Sequence, residues 1–305
     1  MKIETFLEKL MTTTPAFLDV FVEWSPARDE LAFYPKTGLS RTHAIYERLQ
    51  KCIHYSTRHD KDCDLARLHW VDVRKGYISS SALNDLSYVR AYLIHKTDYL
   101  GTTNAAKTLR RILKNDQRMR KILEDLITPS LTNYKFFMKK QVTQSDLVQK
   151  ELTQTFLRKE IEKFCTEELI KEGLENRELF QRYIPTLLDD NSTDQKIESA
   201  LLGLNRATAS VNTLMMDFYA LSRIFKKFNI QRSKSKQATR VDQPESPHNL
   251  IIYAGDAHSI RYRKFFDSLG AKRIAHINNR GTLSINNCID ISNFPMPFFN
   301  EVPKK

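Results

Sequence analysis

The chain has 305 residues, a length that suits one large domain or two ordinary domains with a sizeable core. Only 8 residues are glycine, which argues against collagen-like, low-complexity and glycine-rich β architectures and favours a mostly helical chain. Lysine and arginine number 48 against 36 aspartates and glutamates, so the formal net charge is +12 and anionic partners are candidates. The four cysteines are sparse for a chain of this length, which predicts a reducing compartment without a disulfide scaffold. No run of about 18 apolar residues occurs and the N-terminus is charged, so we expect a soluble protein without a membrane span or a secretory signal.

Residues 1–78 are predicted to form the N-terminal part of an α/β core. Apolar residues at helical spacing predict a helix over 3–10, and the apolar run 17–24 predicts a strand. A capped amphipathic helix is predicted over 40–53, followed by a second strand over 65–74.

Residues 79–228 are predicted to form a large helical insertion, because helical periodicity dominates this stretch and proline and glycine are rare in it. Its longest apolar stripe, 197–228, predicts one long helix that needs neighbours to bury its face. Residues 229–248 are polar and basic and are predicted to be a flexible linker.

Residues 249–305 are predicted to form the C-terminal part of the α/β core. The predicted elements are a strand over 249–256, a helix over 259–269, a strand over 273–277 and a short strand over 288–292. Gly270 is expected to end the helix in the left-handed conformation. Strands near both ends with helices between them predict an α/β fold that is helix-rich overall, with a mostly parallel sheet flanked by helices.

Titratable side chains lie where the predicted strands end. Ligands of open parallel sheets bind beyond the carboxyl ends of the strands, and a carboxylate beside a histidine provides a general base with an orienting partner. The candidate catalytic residues are Glu23, His69, Asp72, Asp256 and His258. If the pocket is active, hydrolysis with His69 or His258 as the base is the reaction to test. P-loop, dinucleotide-binding, nucleophile-elbow and zincin motifs do not occur in the sequence.

Each candidate also has a purely structural interpretation. Asp256 or Ser259 could cap the helix that follows the third strand. His69 could be a satisfied histidine on one face of the sheet, Asp72 could pair with a nearby cation, and Glu23 could be a solvated strand end.

A second cluster has the side chains of a metal site, and a divalent metal is therefore a candidate cofactor. Cys52, His54, His59 and Cys63 lie within twelve residues and are suitable ligands for tetrahedral zinc. Their spacing matches none of the common zinc-finger patterns, so ordinary loop residues are the alternative.

The positive charge is concentrated in two segments, which makes nucleic acid a candidate partner. The candidate nucleic-acid-binding residues are Arg110, Arg111, Lys114, Arg118, Lys121, Lys234 and Lys236. The first five lie largely off the apolar stripe of a predicted helix and form a positive face. A solvated helix face is the alternative, because no recognised nucleic-acid-binding motif accompanies these charges.

Four segments of the sequence, 17–23, 68–74, 251–259 and 288–292, resemble an uncharacterised protein family encoded by nucleocytoplasmic large DNA viruses, the giant viruses. The turn from Gly255 to His258 is more distantly similar to the superfamily of TraB and Tiki proteins, haem-uptake ChaN proteins and erythromycin esterases. The resemblance implies an α/β core with a helical insertion. Some members of the superfamily carry out hydrolysis with a glutamate and a histidine at strand ends, and the resemblance implies that Glu23 and His258 would be these residues here.

The superfamily usually begins with a strand that ends in an acidic residue and is followed by a histidine, whereas this chain begins with the predicted helix 3–10. The departure implies either a shortened, non-catalytic descendant or residues upstream of those given. A sheet without that strand has an exposed edge, which predicts a homodimer. The resemblance to viral proteins implies a location in the host cytoplasm or the virion.

Overall fold

A computed structural model of the chain describes residues 3–23, 48–49, 65–72, 105–115, 117–143, 146–228 and 244–274. The chain divides into two compact units. The sheet unit comprises Met1–Val22, Lys36–His69 and Asn229–Lys305, and the helical unit comprises Glu23–Pro35 and Trp70–Phe228.

In chain order, the described elements are α1 (Ile3–Thr13), β1 (Leu18–Val22), β2 (Ala66–Trp70), α2 (Ala105–Asn115), α3 (Gln117–Leu126), α4 (Leu131–Thr143), α5 (Asp146–Leu152), α6 (Arg158–Leu188), α7 (Asp194–Gly203), α8 (Asn205–Ile224), β3 (Asn249–Tyr253) and α9 (Asp256–Ser268). The predicted class is confirmed: the protein is an α/β protein, rich in helices, with a small parallel sheet. None of the described helices combines the length and the apolar character that crossing a membrane requires.

The sheet has the strand order β2-β1-β3, so β1 is its central strand. All five residues of β1 are buried, as expected for a strand with a neighbour on each side and both faces covered. β3 is parallel to β1, with Leu18 opposite Asn249 and Val22 opposite Tyr253. On the other side, the Leu18 amide donates to the Leu65 carbonyl at 2.8 Å.

The helix after β3 begins at Asp256, three residues before its predicted start, and ends at Ser268. Gly270 adopts a φ of 79°, which confirms the predicted left-handed stop. Arg273 and Ile274, the described part of the predicted strand 273–277, lie outside any strand. The predicted strand 288–292 lies outside the described residues, as does nearly all of the predicted helix 40–53.

The centre of the helical unit is α6, a helix of 31 residues that packs against α3, α4, α7 and α8. Its buried side chains recur every three or four residues and therefore form one continuous stripe. The stripe consists of Ile161, Cys165, Leu169, Gly173, Asn176, Phe180, Ile184 and Leu187. Gly173 allows α4 to approach closely, because a Cβ there would lie 2.7 Å from Cε of Met138. The Tyr134 hydroxyl donates to the Gly173 carbonyl at 2.6 Å. Burial raises the pKa of Tyr134 above its usual value, so the hydroxyl remains a donor.

The prediction of one long helix over 197–228 is wrong, because two helices, α7 and α8, share this stretch. They meet at Leu204, whose ψ of −9° differs from the roughly −42° of a regular α-helix. Leu204 is itself buried, so the apolar pattern continues across the break and conceals it in the sequence.

Candidate functional site

Three titratable side chains meet on one face of the sheet. Asp19, the second residue of β1, is completely buried. Arg67 and His69 are two residues apart on β2 and therefore point to the same face of that strand. Asp19 Oδ1 accepts hydrogen bonds from Arg67 Nε at 2.6 Å and from His69 Nε2 at 2.7 Å. Arg67 Nη2 donates to Asp19 Oδ2 at 3.1 Å, so the arginine binds the carboxylate through two nitrogens.

Hydrogen bonds from Arg67 and His69 keep the Asp19 carboxylate ionised. Burial alone raises the pKa of this carboxyl, because it penalises the charged form. Hydrogen bonds from His69 and Arg67, together with the positive charge of the Arg67 guanidinium, outweigh burial and bring the pKa below its usual 3.8. The cluster therefore contains a buried carboxylate ion at neutral pH.

Aromatic rings fix the orientation of both partners of Asp19. The His69 ring stacks on Phe21 with 4.3 Å between ring centroids and an interplanar angle of 13°. The Arg67 guanidinium lies 5.2 Å from the centroid of the Phe17 ring. Since Nε2 of His69 donates to the carboxylate, Nδ1 is the basic atom of the neutral ring.

The predicted catalytic residues fall in both compact units. His69, Asp256 and His258 belong to the sheet unit, whereas Glu23 and Asp72 belong to the helical unit. Glu23 is a half-buried bend residue directly after β1, and Asp72 is buried two residues after β2. The prediction that these side chains converge in one pocket stays a prediction.

The helix α9 begins directly after Gly255. The residue at the N-cap is Gly255, and the Ser259 hydroxyl donates to the Ala254 carbonyl, just before the helix, at 3.2 Å. Asp256 is the first helical residue and is exposed, where its charge interacts favourably with the helix N-terminus. His258 is 3% exposed and stacks on Tyr262 with 6.3 Å between ring centroids.

The sequence-based site contained His69 but neither Asp19 nor Arg67. One signal was present: Asp19 is a charged residue inside an apolar run, and a buried charge requires a partner. The spacing of Arg67 and His69 was a second signal, because residues two apart on a strand share a face.

Two residues of the predicted basic face, Arg110 and Lys121, bind carboxylates of this chain. Arg110, half-buried in α2, donates to the carboxylate of Asp194 and to the carbonyl of Ser192. Lys121 Nζ lies 2.9 Å from Asp125 Oδ1, and the hydrogen bond to this aspartate raises the pKa of Lys121.

Three other cations of α2 are exposed: Lys107, Arg111 and Lys114. Their spacing of four and three residues places them along one line of the helix surface. The opposite face of α2 buries Leu109 and Leu113. The helix therefore presents a cationic stripe, which we call the α2 stripe.

Several predicted site residues lie outside the part of the chain that the structure describes. Cys52, His54, His59, Cys63, Lys234 and Lys236 lie outside the described residues, and of Arg118 only its place in α3 is described. Among the described residues, no three histidine, cysteine, aspartate or glutamate side chains form a group that could hold a metal ion. The zinc site stays a prediction.

The chain is therefore an α/β protein whose sheet carries a cluster of Asp19, Arg67 and His69. Comparisons with protein-family models, with curated proteins and with solved structures find no match to this chain.

Proposed function

We propose that this chain is a hydrolase-like α/β protein in which His69 is the general base and Asp19 orients it. The observation that supports the proposal is the buried contact of 2.7 Å between Asp19 Oδ1 and His69 Nε2. Histidine is the commonest general base, and a carboxylate on one ring nitrogen fixes the tautomer and stabilises the imidazolium that forms. In this role Asp19 takes the place that the sequence had suggested for the carboxylates of Glu23, Asp72 and Asp256.

The proposed reaction is hydrolysis of an ester-like bond. His69 accepts a proton from a water molecule, the resulting hydroxide attacks the carbonyl carbon, and the proton then passes to the leaving oxygen. Arg67 shares the same carboxylate and offsets part of its negative charge. We therefore propose a degenerate pocket with low activity.

Hydrolysis of p-nitrophenyl acetate tests the proposal with a matched control. His69→Gln is expected to remove the protein-dependent rate, and His248→Gln is expected to leave it unchanged, because His248 is an exposed histidine outside the cluster. Equal loss in the two variants would mean that ordinary imidazole groups cleave the ester, and the proposed base would be wrong. A wild-type rate equal to the buffer rate would contradict the proposed activity.

The proposal includes a viral origin, with the protein in the host cytoplasm or the virion, and this part is supported by the resemblance of the four sequence segments alone. It also includes a homodimer formed through the sheet edge. The order β2-β1-β3 supports the dimer, because β3 has a partner on one side among the described strands. Sedimentation at increasing protein concentration tests it, and a monomer at every concentration would contradict it.

A second candidate function is nucleic-acid binding by the helical unit. It is favoured by the α2 stripe, in which Lys107, Arg111 and Lys114 are exposed along one line. Cations in a row match the regular phosphates of a nucleic-acid backbone, and such binding weakens steeply with salt.

A further inference from the structure

The outward face of α4 carries an exposed aromatic ring with an exposed lysine before it and another one turn after it. Thr132, Lys135, Phe136 and Lys139 are all exposed, and their spacing of three and four residues places them on one face of the helix. Phe136 is 70% exposed, although it is a large apolar side chain. We call these four residues the α4 outer face.

The opposite face of α4 fixes the helix on the helical unit. Tyr134 and Met138 are completely buried, and the Tyr134 hydroxyl donates to the Gly173 carbonyl of α6 at 2.6 Å. These buried contacts determine which side of α4 faces the protein. The Phe136 ring is therefore presented to solvent by a rigid helix, and little ordering is needed when a partner binds it.

The α4 outer face is positively charged. Neither aspartate nor glutamate occurs in α4. Lys135 and Lys139 form no ion pair with any other residue that the structure describes. The helix α3 packs against α4, and its two carboxylates pair with cations of α3 itself. These pairs are Glu124 with Arg120 and Asp125 with Lys121.

We propose that Phe136 stacks on a base of single-stranded nucleic acid while Lys135 and Lys139 bind the flanking phosphates. An exposed aromatic ring beside cations is the arrangement by which proteins bind single strands without reading their sequence. Here the two cations are exposed and lie on the same helix face as the ring, so both can reach a backbone whose base covers Phe136.

Two other occupants fit the α4 outer face less well. A second copy of the chain would bring two identical cationic faces together, and these repel each other. An anionic membrane binds helices through a whole apolar face that sinks into the lipid. Phe136 is the single apolar side chain among the four residues of the α4 outer face, which suits one stacked base and not a lipid surface.

This inference rests on the second candidate function and adds a substrate class to it. The α2 stripe offers charge alone, which single strands and duplexes both satisfy. Stacking on Phe136 requires a base outside a duplex, so it adds a preference for single strands.

Fluorescence anisotropy with a labelled oligothymidine at low salt tests the stacking on the full chain. Phe136→Ala is expected to weaken binding by roughly tenfold, as loss of one base stack does, and Phe136→Trp is expected to preserve it. Circular dichroism establishes that each variant has the helical content of the wild type.

Phe156→Ala is the matched control, because Phe156 is a 62% exposed phenylalanine outside α4. Its backbone is also fixed: the Phe156 amide donates to the Phe225 carbonyl at 3.2 Å, and close by the Lys227 amide donates to the Gln154 carbonyl at 2.9 Å. This variant is expected to bind oligothymidine as wild type does.

A pair of lysine variants tests the phosphate contacts separately. Replacing Lys135 and Lys139 together by glutamine is expected to reduce the slope of log affinity against log salt by up to about 1.4, as the loss of two single-strand phosphate contacts does. Replacing Lys159 and Lys163, two exposed lysines of α6, removes the same charge and should change the slope less. Equal changes in the two variants would overturn the role of the α4 lysines.

The remaining outcomes separate this inference from the second candidate function. Equal binding by Phe136→Ala and wild type, equal weakening by Phe156→Ala, or equal affinity of wild type for a duplex of the same length would each overturn the stacking on Phe136. If wild type binds the single strand and only removal of the α2 stripe weakens binding, the second candidate function survives and the α4 outer face is not the interface. If wild type binds no oligonucleotide at low salt, both are wrong.

Discussion

Asp19 and His69 are joined across β1 and β2 by a hydrogen bond of 2.7 Å, and both side chains are almost completely buried. A buried ion pair is costly to break from one side, because the remaining charge has neither water nor a partner. The consequences for stability can be measured independently of any activity.

Asp19→Asn keeps the shape of the side chain but removes the charge that Arg67 and His69 share. We expect the free energy of unfolding to fall by about 3–5 kcal/mol, the usual effect of removing one partner of a buried ion pair. Urea denaturation followed by circular dichroism measures it. Asp256→Asn is the control, since the same change at an exposed carboxylate at a helix N-terminus is expected to cost about 1 kcal/mol or less. Similar losses in the two variants would contradict a special role for Asp19.

The lowered pKa of Asp19 predicts a specific dependence of stability on pH. A carboxyl whose pKa is lower in the folded state stabilises the protein above its unfolded pKa of 3.8, and this contribution is lost as pH falls through the folded value. We therefore expect the stability difference between wild type and Asp19→Asn to shrink as pH falls below 3.8. Urea denaturation of both proteins at a series of pH values gives the difference. A difference that persists undiminished in acid would show that the ionised carboxylate is not its source.

The same substitution at two helical glycines should have unequal effects. A Cβ at Gly173 would lie 2.7 Å from Cε of Met138, the end of a flexible side chain, and a Cβ at Gly203 would lie within 2.6 Å of three atoms of the Tyr183 ring. Overpacking typically costs about 1–3 kcal/mol, and alanine returns up to about 1 kcal/mol of helix propensity. Gly203→Ala is therefore expected to lower the thermal unfolding midpoint more than Gly173→Ala. The reverse order would contradict the close packing of Tyr183 on α7.

Removing the three cations of the α2 stripe tests the second candidate function. Replacing Lys107, Arg111 and Lys114 by alanine is expected to weaken binding to single-stranded and duplex DNA alike. It should also reduce the slope of log affinity against log salt by up to about 2–3, as the loss of three phosphate contacts does. Mobility shifts across a salt series measure both quantities.

The control for the α2 stripe removes the same charge elsewhere in the helical unit. Lys159, Lys163 and Arg182 are exposed cations of α6, and their replacement by alanine should change affinity and slope less. Equal effects of the two triple variants would show that net charge alone governs binding, and the α2 stripe would not be the interface.

The sequence predicted the elements better than it predicted the site. Apolar runs marked β1 and β3, and Gly270 marked the end of α9, because these signals are local. The pairing of Asp19 with Arg67 joins residues 48 positions apart, and it depends on β2 lying beside β1 in the sheet. Local patterns do not predict which strands pair with each other in the sheet. From the sequence, Asp19 could therefore be recognised only as a charge that needs a partner.

The hydrogen bond between the Lys227 amide and the Gln154 carbonyl joins the two ends of one long stretch of the chain. These residues flank the stretch that contains α6, α7 and α8, so the polypeptide enters and leaves this stretch at one point. Segments whose two ends adjoin are the ones that a host protein can acquire without separating its own flanking chain. The two ends of these three helices therefore adjoin, as insertion of a segment into a chain requires.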